Sequence, residues 1–357
     1  MSGSGTEPGS DPYAVEAAAA RAGLVRLITM GGGLTDPRWR AAFAEVPRHL
    51  FVPVYYVGVA GGYERRTADH PDPERRAEWL RGAYADSALA THVRQGELVS
   101  SSSQPSLMAD MLAALRIEDG NEVLEIGAGT GYNAALLSHR LGDERVTTVD
   151  LDEEITGPAR EHLAAAGYRP LVITGDGALG CPERAPFDRI MATCQLPSVP
   201  AAWVAQCRTG GLILTPLATG LVLLRVTGEG RAEGRFLSTP AYFVRLRSAA
   251  PEGEPTTEAD TEDDAEPGTG AGSASEARAE VWAATAALPR EALRDERFHF
   301  LRTLSAGALD PRGAYELWRA ERRPHRSRFG VTVEGDRQWA WLDAPDGPHR
   351  WPLPGVG

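Results

Sequence analysis

Three glycines at alternate positions, Gly127, Gly129 and Gly131, follow a short apolar run, Val123-Leu124-Glu125-Ile126. A helix-like stretch, Tyr132-Asn-Ala-Ala-Leu-Leu, starts directly after them. A strand, a side-chain-free turn and a helix together make a nucleotide cradle, because glycine lets backbone and ligand approach closely. The spacing is not the dinucleotide Gly-x-Gly-x-x-Gly, and no Gly-Lys-Ser/Thr follows to hold a triphosphate. Asp150 lies 19 residues beyond Gly131, at the tip of the next predicted strand. A carboxylate there can accept both hydroxyls of a ribose; the competing reading is a helix N-cap ahead of Asp152, Glu153 and Glu154. Glu125 either accepts hydrogen bonds from the amides of the glycine turn or serves the fold alone. Gly175-Asp176-Gly177 is by itself a turn signal; in register with the other two sites, Asp176 and Gly177 can meet an adenine amino group. The four serines Ser100–Ser103 read on their own as a flexible loop.

These groups need a frame, and the pattern provides one. Apolar strands at 122–126, 145–150, 170–174, 187–192, 211–216 and 221–227 alternate with helical stretches, the signature of βαβ layering. A last pair is expected near 234–237 and 241–246. Ahead of them, a helical pattern from Tyr13 to Ile28, a Gly31-Gly32-Gly33 break and a second helix through Trp39 and Phe43 lead into a mixed region. The segment 248–280 is rich in Pro, Gly, Ser, Thr and acids and almost free of large apolar residues. Such a segment cannot bury enough surface to offset its conformational entropy, so it reads as a disordered linker. Aromatics return beyond it (Trp282, Phe298, Phe300, Trp318, Phe329, Trp339, Trp341, Trp351), with two helices and strands near 330–333 and 338–342. The expected organisation is a helical, substrate-side region over 1–98, a ligand-binding α/β domain over 99–247, the linker, and a small α+β module over 281–357.

The net charge of -12 is concentrated rather than spread: residues 251–280 hold ten acids against one base, Arg278. The rest of the chain is close to neutral, and no nucleic-acid partner is expected. No lysine occurs anywhere, which excludes a catalytic lysine. Cys181, Cys194 and Cys207 lie far apart without a Cys-x-x-Cys, so buried thiols are expected, with no metal site and no disulfide framework. No run of 18 apolar residues marks a membrane helix, and the polar start lacks the order of a signal peptide. A cytoplasmic protein is the expectation that follows.

Glu-x-Gly-x-Gly-x-Gly after a strand resembles the cofactor loop of class I S-adenosylmethionine (SAM) methyltransferases. That resemblance implies a Rossmann-like fold and SAM as cofactor, with Glu125, Gly127, Gly129, Gly131, Asp150, Asp176 and Gly177 around it. Further stretches narrow it: Glu45-Val-Pro-Arg-His-Leu-Phe-Val-Pro53, Tyr84-x-Asp86, Ser101-Ser102-Ser103-Gln104-Pro105, Ala185-Pro-Phe-Asp188 and Gly210-Gly-Leu-Ile-Leu-Thr-Pro216. In this order they are similar to the protein-L-isoaspartate O-methyltransferases over roughly residues 14–247. In that family a serine of a Thr-Ile-Ser-x-Pro loop sits beside the substrate carboxylate. By motif match this implies a catalytic role for Ser103, with Ser101, Ser102 and Gln104 contacting the substrate. A carboxylate with a pKa near about 4 is already ionised at neutral pH, so methylating it needs alignment and exclusion of water rather than a base.

The chain departs from the repair-enzyme pattern. Ser101-Ser102 stands in place of Thr-Ile, and Thr193-Cys194-Gln195-Leu196-Pro197 replaces a small-residue loop. Residues 57–80 read as an insertion, and about a hundred residues follow the catalytic domain. This layout is similar to isoaspartate-methyltransferase homologues that tailor ribosomally made peptides, those of ATP-grasp (graspetide) or lanthipeptide maturation. They methylate an aspartate whose ester closes to an aspartimide. The resemblance thus implies a peptide or protein substrate bearing Asp or isoAsp, and the reading taken from it is a dedicated, modified precursor peptide. A housekeeping repair methyltransferase and a non-catalytic SAM- or peptide-binding protein are the rival readings.

Overall fold

The computed structural model describes residues 12–59, 62–247 and 288–354. The predicted acidic linker lies outside the described residues. Helices α1 (Ala14–Met30) and α2 (Pro37–Glu45) open the chain as the periodicity predicts. Asp36 caps α2 by accepting the Arg38 N–H at 2.8 Å, with Pro37 pre-set for the first turn.

The region up to residue 98 is not simply helical. It contains strands β1 (Val54–Val59), β2 (Gly62–Thr67) and β3 (Leu89–Arg94), with helix α3 (Pro73–Ala83) between the second and third. Together with β4 (Glu97–Ser102) they form a four-stranded sheet in the order β2-β1-β3-β4. The serine run is therefore the end of a strand: Ser101 pairs with Ala90 and Ser102 with Leu89. Backbone pairing, which composition does not reveal, converts the expected loop into a fixed edge. The following helix α4 (Pro105–Ala114) begins on Pro105.

The six predicted core strands form, shifted by a few residues at their ends. They are β5 (Val123–Ile126), β6 (Val146–Asp150), β7 (Leu171–Thr174), β8 (Phe187–Ala192), β9 (Cys207–Leu217) and β10 (Gly220–Gly228), with α5 (Tyr132–Leu141) after β5 and α6 (Glu153–Ala165) after β6. β5 lies between β6 and β8, all parallel, so the chain turns outward in both directions from β5. Ligands of doubly wound sheets bind at the carboxyl ends of strands at that reversal. β11 (Arg231–Pro240) pairs antiparallel with β10. The second member of the expected last pair is not a strand; residues 241–247 run extended, with a single bridge between Arg245 and Gln195.

The C-terminal segment does not stand apart. Its strands β12 (Phe329–Glu334), β13 (Arg337–Leu342) and β14 (Arg350–Pro352) continue the same ten-stranded sheet from β11, with Ala232 opposite Val333. The Glu296–Leu304 helix packs Phe300 against Phe236 and Phe329, at ring-centroid distances of 4.8 and 5.2 Å. One hydrophobic core runs from Leu124 and Ile190 through Val222 to Phe298 and Trp318. The other face of the sheet is covered by α1, α2, α4 and α5 around Phe43, Met111 and Leu136. The three cysteines are free and buried, and no helix among the described residues is long and apolar enough to cross a membrane.

Candidate active site

The turn after β5 needs its glycines for two different reasons. Gly127 has φ +98°, and a Cβ there would meet Thr193 Oγ1 at 2.6 Å. Gly131 has φ +87° and starts α5; a Cβ there would meet Leu163 and the Ala159 carbonyl of α6, at 3.1 and 3.2 Å. Left-handed backbone and close packing both exclude a side chain. Gly127 and Gly129 line the cleft between the strand ends, whereas Gly131 fits α5 against α6. Gly131, expected at the cofactor with them, packs against Leu163 and the Ala159 carbonyl of α6.

The cleft is bounded by Gly127, Gly129, Asp150, Gly177 and Thr193 on the sheet side and by Ser100 and Ser101 from β4. Asp150 ends β6. Its Oδ2 accepts the Gly129 N–H at 3.1 Å and its Oδ1 the Leu151 N–H at 2.9 Å. Asp152, not Asp150, occupies the N-cap position of α6, so the capping alternative for Asp150 does not hold. Burial raises the Asp150 pKa, while the two amides and Arg247, 3.6 Å away, oppose that shift. Arg247 also pairs with Asp152.

Glu125 faces inward. Asn133 Nδ2 and Thr148 Oγ1 each donate to it at 2.7 Å, so no amide of the glycine turn is its partner. The physical reason lies in the strand: neighbouring side chains of β6 and α5 reach the carboxylate before the turn can. Burial pushes its pKa up to about 7, with the two hydrogen bonds opposing. Asn133 Oδ1 is buried without a hydrogen-bond partner, an acceptor left at the edge of the cavity.

Asp176 accepts the Ala178 N–H at 2.8 Å and caps the short turn Gly177–Leu179. Gly177 borders the cleft and Asp176 does not. The expected adenine acceptor therefore has one oxygen taken up by the turn.

Ser101, Ser102 and Ser103 meet Glu125, Gly127, Gly129 and Thr193 in a second recess that shares walls with the first. Gln104 is turned away: its Nε2 donates to Asp86 at 3.3 Å and to Ser106 Oγ at 3.0 Å. What holds the serine strand is Arg48. Its fully buried guanidinium donates to the carbonyls of Ala83 (2.6 Å), Ala85, Ser87 and Ser103 (each 3.2 Å) and reaches Ser102 Oγ at 3.5 Å. Burial lowers its pKa, and the tyrosines and Asp86 around it act the other way.

A model of the "Protein-L-isoaspartate(D-aspartate) O-methyltransferase (PCMT)" family matches residues 74–237. The protein-L-isoaspartate O-methyltransferase 1 of Anaeromyxobacter sp. (strain Fw109-5) is 37% identical over 61% of this chain and 92% of its own length. That of Methanosarcina mazei is 34% identical over 55% of this chain and 71% of its own. The chain belongs to the protein-L-isoaspartate O-methyltransferase family. It is by membership a carboxyl O-methyltransferase that uses SAM. A solved structure titled "protein-L-isoaspartate O-methyltransferase" shares the fold over 94% of this chain and 88% of its own, with a TM-score of 0.52 at 21% identity.

Sequence reasoning missed Arg48, Asn133, Thr148, Thr193 and Arg247 as site residues. For Arg48 a signal was present, an arginine beside His49 inside a run flanked by Val46, Pro47, Leu50, Phe51 and Val52. Thr148 and Arg247 carried none, since only folding brings them to Glu125 and Asp150.

Proposed function

We propose that this chain transfers a methyl group from SAM to the free carboxylate of an isoaspartyl residue in a protein or peptide. The observation that carries this reading is the meeting of Ser101–Ser103 with the glycine turn in one recess. SAM, when bound, supplies an electrophilic methyl group on a sulfonium sulfur. The residues present fit it: Gly127 keeps open a cradle that a Cβ would fill, Asp150 stands at the strand tip, and Asn133 Oδ1 offers an unused acceptor.

The acceptor carboxylate is ionised at neutral pH, so the chain has to orient it and keep water away. The Ser103 hydroxyl is assigned as donor to that carboxylate, with Ser101 and Ser102 beside it, and Arg48 fixes the strand through the Ser103 carbonyl. No nearby group has to take a proton. Burial raises the Cys194 thiol, which keeps it neutral, and Glu125 is held by Asn133 and Thr148.

Two substrate classes remain within this chemistry. The named relatives favour isoaspartyl repair in proteins generally. The β1–β2 hairpin, which precedes the family match, favours a dedicated precursor peptide as in RiPP (graspetide) tailoring, with an aspartyl ester closing to an aspartimide. Incubation with SAM and short isoaspartyl and aspartyl peptides, followed by mass, separates them. Mass gain of one methylene on unrelated isoaspartyl peptides supports repair; gain followed by loss of methanol on one aspartyl peptide alone supports tailoring. SAM binding with no mass gain on any peptide would refute the transfer itself.

A further inference from the structure

Beside the cofactor cleft lies a larger depression between the β1–β2 hairpin, β4 and residues 242–247. The two are continuous, since Val99, Ser101 and Arg245 border both. Ten large apolar side chains are exposed among the described residues, and three of them line this depression together: Tyr63, Leu98 and Tyr242. Scattered apolar residues on a surface need no explanation, but a contiguous set around a cleft marks a binding face.

Backbone and charge point the same way. β4 is the edge strand of its sheet, with one side unpaired. On the opposite wall, Val244 O and Leu246 N bond to Gln195. In extended chain the groups of Arg245 then face away from Gln195, toward the other side. The Arg245 guanidinium is exposed and has no carboxylate partner among the described residues, whereas Arg247 pairs with Asp150 and Asp152. An extended anionic peptide fits between two free strand edges with a cation at the mouth.

We propose that this depression seats the residues flanking the acceptor carboxylate and selects peptides with a large apolar or aromatic side chain there. Tyr63 and Tyr242 form the contact, and Arg245 steers the acceptor's negative charge. The inference rests on the carboxyl-methylation reading and adds to it a determinant outside the family match, since Tyr63 precedes residue 74.

The test uses the full chain and two isoaspartyl peptides that differ only in Phe or Gly flanking the acceptor. Burying one such side chain predicts a kcat/KM ratio of about tenfold or more in favour of Phe. Tyr63→Ala and Tyr242→Ala should each bring that ratio below about threefold, through KM. A ratio near one in the parent, or a ratio retained in both variants, overturns the proposal. So does a finding that Tyr63→Ala alters only self-association, which would assign the hairpin to a second copy. If neither peptide is methylated, the transfer reading fails, and the groove is read separately by fluorescence anisotropy of the same labelled peptides. Tighter binding of the Phe peptide that disappears in the variants then supports the groove; equal affinities refute it.

Discussion

Replacing Glu125 by Gln should change how stability depends on pH. Glu125 is 1% exposed and accepts from Asn133 and Thr148 at 2.7 Å each. Burial is the largest influence on it and lifts its pKa from 4.5 to about 7. Between those two values the folded protein holds a proton that the unfolded chain has released. The resulting stabilisation is complete below pH 4.5 and is lost as the pH rises through about 7. At about 1.4 kcal/mol per pH unit, the full displacement corresponds to about 3 kcal/mol. Glutamine keeps the shape and cannot titrate. Urea unfolding of both proteins at intervals across this range gives the difference in unfolding free energy, in which every other carboxylate cancels. The parent should lose about 3 kcal/mol relative to the variant from the acid to the neutral end. Parallel curves would refute the buried placement of Glu125.

Ser103→Ala should lower turnover about tenfold or more while calorimetry shows SAM affinity nearly unchanged, because a hydrogen bond to a charged group is lost only on the acceptor side; an equal loss of SAM affinity would contradict the assigned role. Asp150→Ala should weaken SAM binding by about tenfold or more, since a strand-tip carboxylate is removed, and an unchanged dissociation constant would leave Asp150 only its backbone bonds to Gly129 and Leu151. Arg48→Leu strands the carbonyls of Ala83, Ala85, Ser87 and Ser103 without their donor. A destabilisation of about 3 kcal/mol or more is expected in denaturant unfolding; a loss below about 1 kcal/mol would mean that water replaces the guanidinium.

The parts of the site that lie within one strand–turn–helix unit were legible in the chain. Gly127 and Asp150 follow from local rules, because a left-handed turn demands glycine and a strand tip presents its last side chain. Gly131 obeys the same rule, and what its bare Cα packs against depends on α6, whose Leu163 a Cβ there would meet at 3.1 Å. The serine run misled in the opposite direction. Its composition is that of a loop, and only pairing with β3 makes it a strand.

The order of apolar runs and turns in the sequence determined the parallel β5–β9 frame, the glycine cradle and the carboxylate at the end of β6, since each depends on neighbours in the chain. The tertiary structure decided what surrounds them. It directed Glu125 to Asn133 and Thr148, tied the serine strand to Arg48 and drew the last three strands into the main sheet. Those outcomes depend on burial and on pairing across tens to hundreds of residues, where a polar group takes whichever partner the packed chain brings within reach.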